Sequence, residues 1–227
     1  QDLQKRSVSA EKIKVVLNGV DLSKYKPLDD KDGKLSEKYG LQGKFVAGYI
    51  GTLGLAHTLD IFIEAAEFLK REDDIRIVFV GGGADRGRLE NLVKNRGLEN
   101  IVMMPMQPKK NMREVWSLCD ISLVSLKDTP LFSRVIPSKI FESMAMSLPI
   151  IISVPEGEST ELIRTQKAGL VIPPKNSNSL YKEILKIKND KNLYRELAEN
   201  SRLAARKFNR KNLAIEIEPS TKEYDPI

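Results

Sequence analysis

Between residues 44 and 174, six short apolar runs rich in β-branched residues alternate with stretches of helical periodicity, and few folds accept that order. The runs are KFVAGYI (44–50), IRIVFV (75–80), NIVMMP (100–105), ISLVSL (121–126), PIIISV (149–154) and GLVIPP (169–174). Each is apolar almost without interruption, the pattern of a strand covered on both faces. Between them, LDIFIEAAEFLK (59–70), DRGRLENLVKNRG (85–97), MREVWSLC (112–119), KIFESMAM (139–146) and STELIRTQ (159–166) carry apolar residues at helical spacing. This alternation predicts an α/β fold with a doubly wound, mostly parallel six-stranded sheet. Two C-terminal helices, 177–189 and 191–208, close it.

The domain expected from this pattern spans residues 42–208. Ahead of it, residues 1–41 contain KIKVVLNGVDLSKYKP (12–27), read as an entering strand followed by a turn-rich linker. Residues 209–227 form a tail, expected to fray where EIEPSTKEYDPI has two prolines and no periodicity. QDLQKRSVSAEK has no apolar signal core, and a chain starting with Gln1 reads as a fragment or processed form. With 41% apolar and 30% charged residues the composition is that of a soluble globular protein, and no apolar run approaches the ~20 residues that span a bilayer. A single cysteine excludes an internal disulfide and fits a reducing compartment.

Lys and Arg outnumber Asp and Glu by 37 to 31, a formal charge of +6. That favours an anionic partner. The basic residues form no long run and are not interleaved with aromatics, so nucleic acid is not the expected one. A phosphate-bearing small molecule or an anionic membrane surface suits the charge.

Ligands of an open parallel sheet bind beyond the carboxyl ends of its strands. Three loops there carry candidate chemistry. GTLGLAHTLD (51–60) offers Gly51 and Gly54 for close backbone approach, with Thr52 and the sole histidine, His57, beside them. Such a turn before a helix N-terminus can hold an anion, or be plain turn chemistry. GGGADRGRLE (81–90) adds Arg86 and Arg88, either of which could clamp a diphosphate or lie on a solvated helix face. In PSKIFESMAMSLPII (137–151), Pro137 suits a first helical turn and Ser138 is a candidate cap. Lys139 and Glu142 then share a face, as a solvated ion pair or as ligands for a phosphate and a ribose.

Other chemistries find no support. Neither glycine loop matches a P-loop, and no G-x-G-x-x-G follows the first strand. There is no Cys/His cluster for zinc, and no nucleophile elbow for a hydrolase. Cys119 and Trp116 fall on an apolar helix face and are expected in the core.

Together these residues resemble the C-terminal, nucleotide-sugar-binding domain of family-four retaining glycosyltransferases with the GT-B fold, of the bacterial surface-polysaccharide and lipopolysaccharide type. The resemblance runs from VVLNGVDLSKYKP (15–27) through GYIGTLGLAHTLDIFIEAA, IRIVFVGGGADRGRLENL and IVMMPMQPKKNMREVWSLCDISLVSL to PSKIFESMAMSLPII, and on to about residue 208. It implies that Glu142 holds the ribose and that the backbone from Met104 through Met106 to 107 frames the nucleobase. It places Lys139, the 51–54 turn and Arg86 or Arg88 on the diphosphate. Many members carry a second glutamate eight positions before the first; here that position is Arg134. Many also have a lysine where this chain reads AHT (56–58).

The implied activity is sugar transfer from a nucleotide diphosphate sugar to a glycan or lipid-linked acceptor, with retention and without an obligatory metal or other cofactor. A UDP-sugar is the first expectation and a GDP-sugar the second. The acceptor domain of such an enzyme does not fit in this chain, so an isolated donor half is expected, competent to bind and not to turn over. The expected place is cytoplasmic, at the inner face of a membrane where the intact enzyme associates peripherally. The alternatives are half of a sugar-nucleotide epimerase, or a non-catalytic interaction domain on the same scaffold.

Overall fold

The computed structural model describes residues 2–13, 15 and 17–215. Short helices α1 (Asp2–Lys5) and α2 (Gly33–Lys38) precede an alternating core of β1 (Phe45–Ile50), α3 (Asp60–Phe68), β2 (Ile75–Val80), α4 (Arg86–Asn95), β3 (Ile101–Met104), α5 (Met112–Ser117), β4 (Ile121–Ser125), α6 (Ser138–Ala145), β5 (Ile150–Ser153), α7 (Glu158–Gln166) and β6 (Gly169–Ile172). Helices α8 (Ser177–Asn189), α9 (Lys191–Lys207) and α10 (Arg210–Ile215) follow. The strands lie in the order β3-β2-β1-β4-β5-β6, and every neighbouring pair is parallel.

Each predicted strand forms within two residues of its expected ends, because each is apolar on both faces and both faces are covered. One layer packs Phe62, Ala65 and Ala66 of α3, Leu89 of α4, and Leu180, Ile184 and Ile187 of α8 against Tyr49, Ile77, Phe79 and Leu123. The other packs Ile140, Phe141 and Met144 of α6 and Ala204 and Ala205 of α9 against Val124, Ile150 and Ile152. A third cluster sets Trp116 and Leu118 against Val46 and Val78. Burial of each such side chain is worth roughly 1.5–3 kcal/mol, which is what holds the helices to the sheet. Trp116 and Cys119 are in this core, as expected.

Among the described residues of 12–27 no strand forms; Lys14 and Val16, within the expected entering strand, lie outside the described residues. The segment makes one isolated bridge, Val20 to Asn209, with Val20 N–H donating to Phe208 O at 2.9 Å. Val20, Leu22 and Tyr25 pack in the cluster that holds Ala204, Ala205 and Phe208, whereas Val15 and Leu17 are exposed. Residues 209–215 are therefore held, through this bridge and helix α10. The stretch expected to fray, 216–227, lies outside the described residues.

The strand order decides where a ligand can sit. From β1 the chain winds outward through β2 and β3, then returns to lay β4 on the other side of β1. At that reversal the loops after β1 and β4 leave in opposite directions and open a crevice at the strands' carboxyl ends.

Candidate functional site

The loops at the crevice are locked to one another. Lys127 N–H donates to Ala56 O at 2.9 Å, and Ser125 Oγ donates to His57 O. Gly51 N–H donates to Val80 O and Leu53 N–H to Gly82 O, joining the loops after β1 and β2. Glycine is required at this junction. Gly81 has φ +149°, and a Cβ there would lie 2.0 Å from the Gly51 carbonyl oxygen. Part of what the glycine triplet permits is thus the approach of one loop to the other.

Lys139 lies beneath this junction. It is on the first turn of α6, yet 8% exposed, and its Nζ has no hydrogen-bond partner. The ammonium sits 3.6 Å from the centroid of the Tyr49 ring. On its other side is Gly51, with φ +140°, where an added Cβ would come within 2.9 Å of Nζ. Tyr49 is itself fixed by its hydroxyl, which donates to Thr52 O at 2.8 Å, and by packing on Phe62 and Phe79. A desolvated cation–π contact is worth about 2 kcal/mol, whereas removing an ammonium from water costs several. Burial accordingly pushes the Lys139 pKa down to about 7, against a smaller opposing pull from Glu142.

Glu142, one turn on, is partly buried, and burial raises its pKa. Tyr25, from the segment before the sheet, donates its hydroxyl to Oε1 at 3.4 Å. The buried indole N–H of Trp116 also faces Glu142 and has no partner in hydrogen-bonding geometry. His57 is half-buried, its Nδ1 3.4 Å from Ser125 O and its ring edge-on to Tyr49 at 6.0 Å. Burial first, then the nearby Lys139 charge, holds its pKa below the usual histidine value. A cleft of about 200 Å³ opens at the joined glycine loops, lined by Gly51, Thr52, Gly81, Met106, Gln107 and Met112.

The fold therefore brings together Gly51, Thr52, His57, Lys139 and Glu142, with Gly54 close to His57 and Met106 exposed at the rim. Met104 is buried and contributes backbone: its carbonyl accepts from Gly81 N–H at 3.3 Å. The arginines are engaged elsewhere. Arg86 donates to Gly81 O at 2.6 Å and Met104 O at 2.8 Å and pairs with Glu90 at 2.7 Å, bracing the loop from below. Arg88 forks onto Asp60 and Asp85, both at 2.6 Å, beside a separate 290 Å³ hollow that also meets Lys127 and Lys175. Arg134 is exposed at the end of a 3₁₀ turn, Pro130–Arg134. Ser138 does not cap: the N-cap position falls on Pro137 and no side chain closes that end of the helix.

Tyr25, Tyr49 and Trp116 escape a sequence reading. Tyr25 reaches Glu142 across 117 residues, a contact no local pattern announces. Among the described residues, no helix is long and apolar enough to cross a membrane, and no group of three His, Cys, Asp or Glu side chains converges as a metal would require.

The family of glycosyl transferases group 1 matches residues 31–204. The chain belongs to that family. Alpha-D-kanosaminyltransferase of Streptomyces kanamyceticus is 28% identical over 169 residues, covering 74% of this chain and 42% of that protein. The putative colanic acid biosynthesis glycosyltransferase WcaL of Escherichia coli K12 is 26% identical over 191 residues, 78% of this chain and 42% of its own length. The chain thus spans less than half of these relatives. Among solved structures, Anabaena Alr3699/HepE in complex with UDP-glucose superposes with a TM-score of 0.81 at 21% identity, covering 97% of this chain and 60% of that one. The C-terminal domain of a glycosyl transferase group 1 family protein (LpcC) from Francisella tularensis gives 0.68 at 22%, covering 83% of this chain and 97% of that one. The Rossmann-like half of a GT-B fold is the architecture found.

Proposed function

We propose that this chain is the donor-binding half of a retaining glycosyltransferase, holding a nucleotide diphosphate sugar in the crevice at the ends of β1 and β4. The observation that carries the reading is the buried, unpartnered Lys139 ammonium directly beneath the Gly51 turn. A diphosphate laid on that turn would give the ammonium its missing partner, and the ammonium would offset the negative charge that grows on the diphosphate as the sugar leaves. Lost donors of this kind cost about 3–4 kcal/mol in other enzymes. Glu142 accepts hydrogen bonds from the ribose hydroxyls, and the 104–107 backbone frames the base at the cleft.

Uridine is the first choice of base, supported by the solved complex of Alr3699/HepE with UDP-glucose, and guanosine the second. Transfer of a hexosyl or N-acetylhexosaminyl group to a glycan or lipid-linked acceptor requires the acceptor domain, which we place in the remaining half of a longer protein. That protein would work in the cytoplasm, at the inner face of the membrane. Arg86 supports the diphosphate as a fixed positive charge below Gly81, whereas Arg88 is neutralised by Asp60 and Asp85 and makes no contact with it.

Calorimetric titration of UDP, GDP and ADP into the chain tests this. One nucleotide is expected to bind saturably, and Glu142→Ala to weaken it at least tenfold. Equal affinity in wild type and variant would remove Glu142 from the site, and silence with all three nucleotides would count against the donor reading itself.

A further inference from the structure

We propose that Lys139 takes up a proton when the nucleotide diphosphate binds, so that the donor brings its own counter-charge into being. This rests on the donor reading above and adds to it the charge state of the empty site.

The argument is geometric. The ammonium is enclosed by the Tyr49 ring from β1 and by the Gly51 backbone from the loop after β1, and neither supplies a hydrogen-bond acceptor to it. The titratable groups that face it are Tyr49 on β1, His57 on the following loop and Glu142 on its own helix. Tyr49 is held protonated by burial. His57 adds no negative charge. Among the described residues Glu142 is the carboxylate acting on the lysine, and it forms no hydrogen bond with Nζ. A cation so placed gives up its proton readily, consistent with burial bringing it to about 7. An opposite charge within ~4–6 Å raises a lysine by roughly 1–3 units. A diphosphate over Gly51 would therefore move Lys139 from mostly neutral to mostly charged near pH 8.

The sign follows. Above pH 7 the empty site must be protonated for its best contact, so apparent affinity falls by up to ~tenfold per pH unit until the bound-state pKa is reached. Below pH 7 this dependence disappears, because the lysine is already charged.

The test is calorimetry at pH 8, where the phosphates of UDP, GDP and ADP are past their second ionisation near ~6. Titrations run in HEPES and in Tris buffer, whose ionisation enthalpies differ, give the number of protons taken up. Wild type is expected to take up more than ~0.5 proton per nucleotide. Lys139→Arg, which stays charged, should bind with none, and His57→Gln should retain the uptake. In parallel, the Lys139 Cε resonance in the free, ¹³C-labelled protein is expected to titrate near neutrality. Binding without uptake, uptake that survives in Lys139→Arg, or a Cε titration above pH 10 would each overturn the inference while leaving the donor reading intact. Failure of all three nucleotides to bind would overturn both.

Discussion

An ammonium pressed between a tyrosine ring and a glycine backbone weakens the fold as long as it stays charged. Lys139 sits near 7 in the folded protein, against 10.5 for a free lysine. Between those values the unfolded chain binds more protons, so stability should rise with pH, by at most about 1.4 kcal/mol per unit. Lys139→Met removes the titrating group at similar volume. Urea midpoints at pH 7, 8 and 9 are expected to climb more steeply for wild type than for the variant, with the variant the more stable at pH 7. Parallel curves would show the lysine to be charged throughout. Tyr25→Phe tests the neighbouring contact. It removes a hydroxyl at 3.4 Å from Glu142 and leaves the ring packed. A single long hydrogen bond is worth under about 1 kcal/mol, so nucleotide affinity should drop less than fivefold, well short of the loss from Glu142→Ala.

At the scale of elements, the two glycine loops behave as one part. Gly81 leaves no room for a Cβ against the Gly51 backbone, a Cβ on Gly51 would press on the Lys139 ammonium, and both glycines have positive φ. Gly81→Ala should cost about 2–4 kcal/mol, adding backbone strain to overpacking. It should also weaken nucleotide binding, since the displaced carbonyl belongs to Gly51. A denaturant melt and a titration of the same sample check both; unchanged affinity would separate the turn from the site. The elements themselves were readable because their driving force is local: a doubly covered strand is apolar throughout, and KIFESMAM repeats at helical spacing. Helix α2 was missed although its signals are present. Asp32 caps it by accepting from Leu35 N–H at 2.7 Å, and Gly40 follows it with φ +63°. Along 12–27 the apolar residues flag burial without saying against what. Here Val20 is buried by Phe208, nearly two hundred residues away, and not by a strand.

For the whole molecule, the sequence supplied Lys139, Glu142 and the glycine turns, and the strand order supplied the reason they meet. The partners of the arginines were not legible, because the aspartates and carbonyls that hold them converge only in the folded chain. The burial of Lys139 was hidden for the same reason: a lysine in a first helical turn is ordinarily solvated. The switch point gathers Lys139, Glu142 and the glycine turns, and the 290 Å³ hollow lined by Asp60, Arg88, Lys127 and Lys175 opens from the same loops after β1 and β4. A crystal structure of the chain with the nucleotide diphosphate that binds it is the most direct test. The account predicts the diphosphate on the Gly51 turn with an oxygen within hydrogen-bonding distance of Lys139 Nζ, and the ribose hydroxyls on Glu142. A nucleotide seated instead in the hollow lined by Asp60, Arg88 and Lys175 would contradict it.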